Sequence, residues 1–114
     1  MATNTFKLKT KAAIDASLVT IYTVPADTTT VVIGLTVANV KGSSVTFDAK
    51  LITASTSGEN ADDVHFIKDI PLPAGSSIEV MSGNKIVLET GDAVQVKGSV
   101  ADAVDAILSV MEIT

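Results

Sequence analysis

Apolar and polar residues alternate along most of this chain, in short runs broken by clusters of Gly, Pro, Ser, Asn and Asp. A period of two marks a strand that lays one face on a core. Residues 5–11 set Phe6, Leu8 and Thr10 against Lys7, Lys9 and Lys11, so the first set is expected inward and the lysines outward. Residues 12–17 are weakly patterned around Asp15 and read as a connection with room for a short helical turn. Leu18 to Val24 is rich in β-branched residues and predicts a strand that stops at Pro25. Thr30 to Val40 is apolar or small on both faces, with Val31, Ile33, Leu35 and Val37 on one and Val32, Gly34, Thr36, Ala38 and Val40 on the other. Such a strand is expected to be central and covered on each side. Val45 to Thr53 alternates cleanly, with Val45, Phe47, Ala49 and Leu51 inward and Thr46, Asp48 and Lys50 outward. Further strands are predicted at Val64 to Leu72, Ser77 to Met81, Lys85 to Glu89, Ala93 to Lys97 and Val104 to Thr114. The last sets Val104, Ala106, Leu108 and Val110 against Ile107, Met111 and Ile113. A helix over 104–113 is the competing reading, since Ala103 to Met111 holds good helix formers. The β-branched ending and the missing C-terminal glycine favour the strand.

Two stretches share one grammar. Val24-Pro25-Ala26-Asp27-Thr28-Thr29 and Leu72-Pro73-Ala74-Gly75-Ser76-Ser77 both run apolar residue, Pro, Ala, turn residue, then two hydroxyls before a β-branched run. Proline has no N–H for a ladder, Asp and Gly suit a bend, and Ser or Thr can bond the nearby backbone. Each is therefore a corner between strands. Counting strands and turns, roughly eight or nine short strands recur at intervals of about 8–12 residues, the pattern of an all-β fold. The predicted architecture is a single antiparallel β-sandwich or jelly-roll-like domain over residues 1–114. Residues 1–16 form its N-terminal strand and connection, a segment placed to serve as an arm.

Composition narrows the chemistry. The chain has 114 residues, 46% of them apolar and mostly aliphatic, enough for one core. It has no cysteine, so no disulfide framework and no thiol chemistry is available. Net charge is −5 and every cation is a lysine, which argues against nucleic acid, where clustered positive charge and arginine are the usual means of reading phosphate and base. Lys7, Lys9 and Lys11 form the one local basic cluster. They read as lysines that discourage edge pairing rather than as a site for an acidic partner. No apolar run approaches the ~20 residues of a membrane helix, and the polar start lacks the form of a signal peptide, so no membrane contact is expected.

Candidate sites are few. His65 is the sole histidine, near Asp62, Asp63 and Asp69, but no Gly-x-Ser-x-Gly elbow supplies a nucleophile, and a solvated histidine is expected. Glu59, Asn60, Asp62 and Asp63 carry oxygens that suit Ca²⁺, without the spacing of an EF-hand. Gly75-Ser76 and Gly91-Asp92 read as turns, since no phosphate-cradling pattern surrounds them. No catalytic, metal or cofactor-binding residues are therefore assigned, and no enzyme is expected. Tyr22, Phe6, Phe47 and Phe66 fall mostly in core phase, which weakens a sugar site. The apolar surplus of the 31–40 strand and the final strand points instead to cover from a neighbouring subunit, the alternative being short loops or an N-terminal segment folded over it.

The run Tyr22 to Thr29, then Val31 to Asn39 leading to Gly42-Ser43, resembles small β-sandwich structural proteins of tailed bacteriophages. So do Ile70 to Ile78, Val87-Leu88-Glu89-Thr90-Gly91-Asp92 and the closing Ser109 to Ile113. The resemblance spans residues 17–114 and rests on turn and strand signatures. It implies a non-enzymatic virion protein made soluble in the host cytoplasm: a capsid decoration or cement subunit assembling with itself and the lattice. Its alternative is a neck, tail or fibre-associated module that binds another virion protein or a host glycan. A small jelly-roll enzyme would need ligands the sequence lacks.

Overall fold

Each run with a period of two folds as a strand. The computed structural model describes residues 3–53, 62–81 and 83–114. Nine strands run in the order β1 (Asn4–Ile14), β2 (Val19–Thr23), β3 (Thr29–Asn39), β4 (Val45–Ile52), β5 (Val64–Leu72), β6 (Ser77–Glu79), β7 (Ile86–Leu88), β8 (Ala93–Gly98) and β9 (Val104–Ile113). The strand reading of 104–113 holds: β9 lies between β1 and β3, and its even positions, Val104 through Val110, are buried. The segment expected as a connection after residue 11 is still strand, because β1 continues through a bulge to Ile14, where the Ala13 N–H donates to Asp105 Oδ1 at 2.9 Å.

The strands form two antiparallel sheets, one ordered β1-β9-β3 with β6 and β7 both on the far side of β3, the other ordered β2-β8-β4-β5. β6 pairs with Thr36–Ala38 and β7 with Thr30–Val32, so together they act as one interrupted strand. With that count the order is that of a jelly-roll sandwich. Between the sheets lies an aliphatic core of Val32, Leu35, Val37, Val94, Val96, Leu108 and Val110 with Phe47 at its centre. Each such side chain contributes about 1.5–3 kcal/mol on burial.

Two strands depart from strict alternation. In β3, Val32 pairs with Val110 but Gly34 pairs with Ser109, so Ile33 is the extra residue of a bulge. The inward set is therefore Thr30, Val32, Leu35, Val37 and Asn39, while Val31 and Ile33 face outward, contrary to the simple period. Glu79 closes the resulting gap in the ladder: its Oε1 accepts the N–H groups of Leu35 and Met81 at 3.1 and 2.9 Å, and its Oε2 accepts the Thr36 hydroxyl at 2.9 Å. In β4, Asp48 lies in the outward phase as expected yet is buried. The irregular register of β5 folds over it, and Asp48 accepts the Asp69 N–H at 2.8 Å and pairs with Lys68 at 3.2 Å.

The twin corners do the same task. The first carries the chain from β2 to β3 and the second from β5 to β6, each from the four-stranded to the five-stranded sheet. Val24 and Leu72, the apolar residues before the prolines, are both buried. At the equivalent turn position Asp27 has φ 54° and Gly75 has φ 70°. The Ser76 N–H closes the second turn onto the Pro73 carbonyl at 3.1 Å, and the Thr28 hydroxyl donates to the Ala26 carbonyl in the first at 2.9 Å. Buried Asn39 ties the second corner in: its Nδ2 donates to the carbonyls of Leu72 and Ser43 at 2.9 and 2.8 Å.

A left-handed φ costs a β-branched residue about 1–3 kcal/mol. Gly75→Val should lower the unfolding free energy by that amount, while Gly75→Asn stays within about 1 kcal/mol. Urea denaturation of both variants checks this. A Gly75→Val chain as stable as the parent would show that the corner does not need its left-handed residue.

Candidate interaction surface

β1 lies the opposite way round from its sequence pattern. Lys7, Lys9 and Lys11 pair with Val110, Leu108 and Ala106 and so share the inner side of the sheet, while Phe6, Leu8 and Thr10 pair with Met111, Ser109 and Ile107 on the outer side. The expectation that Phe6 and Leu8 point inward is overturned. Glu112 is the reason. It occupies a core-facing position of β9 and is almost fully buried, so it requires a cation and hydrogen bonds.

The cation is Lys7, whose Nζ sits 2.8 Å from Glu112 Oε1. The Tyr22 hydroxyl donates to Glu112 Oε2 at 2.6 Å and lies 2.7 Å from the Thr30 hydroxyl. Lys9 Nζ stands 5.9 Å from the centre of the Tyr22 ring, within cation–π range. β1 is an edge strand, so its lysines run their stems along the core margin and keep their ammonium groups at the rim. A slip of one residue would turn Phe6 inward but leave Glu112 buried without its partner, a loss of several kcal/mol. The Lys7 ammonium and the Tyr22 hydroxyl hold the Glu112 carboxyl below its ordinary 4.5, against the effect of burial. Burial and the adjacent Glu112 push the Tyr22 hydroxyl up to about 12.

The outer face of the five-stranded sheet is the consequence. Phe6, Met111, Val31 and Val87 form one level across β1, β9, β3 and β7. Leu8 and Ser109 form the next with Ile33 and Gly34, and Thr10, Ile107 and Thr36 the third. Exposure is 73% for Phe6, 64% for Leu8, 61% for Val87, 45% for Ile107 and 36% for Ile33. Between Phe6 and Thr10, Ile107 and Ile113, and Thr29 and Thr36, no outward residue carries a charge. At the end of this face Thr10, Ala12, Ala38, Asp105 and Ile107 line an open hollow of about 300 Å³.

The other candidates do not converge. His65 is exposed on β5 opposite Lys50. Asp63 accepts the Thr53 N–H at 2.9 Å and the Asp62 carbonyl accepts the Thr53 hydroxyl, while Glu59 and Asn60 lie outside the described residues. Among the described residues no group of three or more His, Cys, Asp or Glu side chains is placed to hold a metal. Asp92 accepts the Glu89 N–H at 2.9 Å, and Gly91 has φ 90°, as a tight turn requires. Missed from the sequence was the outward placement of Phe6 and Leu8. Glu112 was the available signal: a carboxylate in phase with Leu108 and Val110 demands a cation, and the alternating lysines are the one local cluster of them.

No protein-family model and no curated protein sequence matches the chain. Solved structures do. A protein of the Bacillus endospore appendages, which form disulfide-linked pili, superposes with a TM-score of 0.52 at 14% identity, over 99% of this chain and 88% of that one. A chain of infectious bursal disease virus, Gx strain, gives a TM-score of 0.58 at 11% identity over 98% of this chain. A chain of that virus's T13 particle gives 0.58 at 7% identity over 96% of this chain. This chain spans about a third of either viral chain, 32% and 30%. At such identities the likeness is one of fold: a two-sheet, all-β sandwich.

Glu112 also sets a pH response. Its lowered folded value, like that of Asp48, means stability present above the ordinary carboxylate range and lost as pH falls through the lowered values. The raised Tyr22 value gives the opposite slope, stability being lost as pH rises from 10.0 towards about 12. Unfolding free energy against pH should therefore fall on both flanks. Glu112→Gln should flatten part of the acid flank and Tyr22→Phe the alkaline one. Glu112→Ala should cost about 2 kcal/mol at neutral pH, since Tyr22 and Lys7 lose a charged acceptor. Unchanged flanks in these variants would detach the network from β1.

Proposed function

We propose that this chain is a non-enzymatic structural subunit that works as part of an assembled particle. The outer face of the five-stranded sheet carries the reading. A largely apolar face with Phe6, Leu8 and Val87 mostly exposed is costly for a free monomer in water and suits a subunit whose neighbours cover it. The two-sheet fold, similar to a protein of spore pili and to chains of a viral particle, supports the same role. So does the turn grammar shared with small β-sandwich proteins of tailed bacteriophages. Within that class the reading is a capsid decoration or cement subunit of a virion, made as a soluble chain of one domain over residues 1–114 and added to the lattice.

A neck, tail or fibre module is the second reading. Its glycan-binding form draws on Phe6, the one exposed aromatic of the outer face, but a sugar site also needs polar groups around the ring, and Phe6 is flanked by Met111 and Leu8. Packing against protein fits those neighbours better. The pilus protein belongs to disulfide-linked pili, whereas this chain has no cysteine, so its contacts are not disulfide bonds.

Copy number in the purified particle tests the reading. Quantitative mass spectrometry and cryo-electron microscopy should find on the order of hundreds of copies spread over the lattice. About a dozen copies or fewer at one vertex would replace the decoration role with the neck or tail role. Recovery of the chain free of any particle or polymer would overturn the structural reading itself.

A further inference from the structure

We infer that the outer face of the five-stranded sheet binds a second copy of this chain across a two-fold axis. The axis lies between the two faces and runs across the strands at the level of Leu8 and Ser109. This inference rests on the structural-subunit reading and names the contact it requires.

Three observations select a second copy as the occupant. The first is shape. Phe6 projects from one end of the face, and the hollow lined by Thr10, Lys11, Ala12, Ala38, Asp105 and Ile107 opens at the other end, on the same strands. Leu8 and Ser109 pair with each other midway. A two-fold axis at that level exchanges the two ends, so each Phe6 ring enters the hollow of the other copy. Self-complementarity of this kind is what an isologous contact requires. The small side chains of Ala12 and Ala38 leave the room, about 300 Å³, that a ring needs.

The second is charge. With no charged side chain among the outward residues between Phe6 and Thr10 or Ile107 and Ile113, the centre of β1 and β9 sets no like charges against a second copy. The two acids on this face, Asp105 in the hollow and Glu79 with its carboxylate beside Gly34, are engaged by the N–H groups of Ala13 and of Leu35 and Met81. The rival contact, β1 against β1 edge to edge, would set Lys7, Lys9 and Lys11 of two copies beside each other on the inner side. The inward lysines oppose edge pairing and leave the face open.

The third is area. Four strands about 4.8 Å apart, over some seven residues at ~3.3 Å each, give an apolar field of roughly 400 Å². A stable interface buries about 800 Å² per partner, with an apolar centre and a polar rim. Roughly half of that area as apolar centre, ringed by Asn4, Thr10, Thr29 and Thr36, matches the anatomy.

Sizing with light scattering across a dilution series tests the inference on the full chain. The parent should dimerise, and Phe6→Glu with Leu8→Glu should raise the dimer Kd about a hundredfold or more. Both positions are largely exposed in one copy, so at concentrations where the parent is monomeric the variant should share its melting temperature. Val64→Glu, exposed on β5 of the other sheet, should leave the Kd unchanged. Ser109→Cys supplies a single thiol at the axis, and a short bis-maleimide should join two copies through it. If the parent dimerises but the Phe6 and Leu8 variant dimerises equally well and the Ser109→Cys chain does not cross-link, the inference fails and the structural-subunit reading stands. A parent that stays monomeric at every concentration also overturns it, leaving that reading to the copy-number measurement. Concentration-dependent protection of the β1 amides against hydrogen exchange would replace the face contact with edge pairing.

Discussion

Everything in this molecule hangs on the antiparallel pairing of β3 with β9, which joins Thr29–Asn39 to Val104–Ile113 across most of the chain. That pair places β1 on one flank and β6 and β7 on the other. Its inward residues, Val32, Leu35, Val37, Leu108 and Val110, make one wall of the core. Its outward residues, Val31, Ile33, Ile107 and Met111, make the centre of the exposed face. A strand pair apolar on both sides cannot satisfy both with one opposing sheet. The core takes one side, and the other is left as an exposed apolar face.

Polar side chains decide the details that apolar burial leaves open. Hydrophobic burial is indifferent to a small slide of one aliphatic strand past another, but a buried carboxylate is not. Glu112 sets the register of β1 through Lys7 and Tyr22. Glu79 bridges the gap between β6 and β7 beside the β3 bulge, and Asp48 holds the irregular part of β5. Asn39 fastens a corner and a hairpin to the end of β3. Glu79, Asp48 and Asn39 sit where the regular ladder fails or ends and bond backbone groups there, whereas Glu112 sits in regular register and bonds side chains.

Much of this was legible in the residues. Strand positions follow from β-branched runs and turn clusters, and the twin Pro-Ala corners marked two of the crossings between sheets. That one apolar face would lie outside the core was visible in the double-faced apolarity of Val31 to Val37 and of Ile107 to Ile113. Facing was not legible at β1, because the alternation of Phe6 and Leu8 with lysines states a period and carries no sign. The sign came from Glu112, about a hundred residues away in sequence and adjacent in space only after β1 and β9 pair. Local pattern was also blind to the β3 bulge. Gly34 hinted at it, but the register shift exists only relative to Ser109 on another strand.

By itself, then, the sequence determined the class: an all-β chain of short strands, an aliphatic core and corners set by proline and a left-handed residue. These follow from steric limits on single residues and from a periodicity of two, both local. Tertiary structure alone decided which face of each strand meets water, because that choice compares partners far apart in the chain. It turned Phe6 and Leu8 outward to keep Glu112 paired, and so converted an edge strand's pattern into an apolar surface.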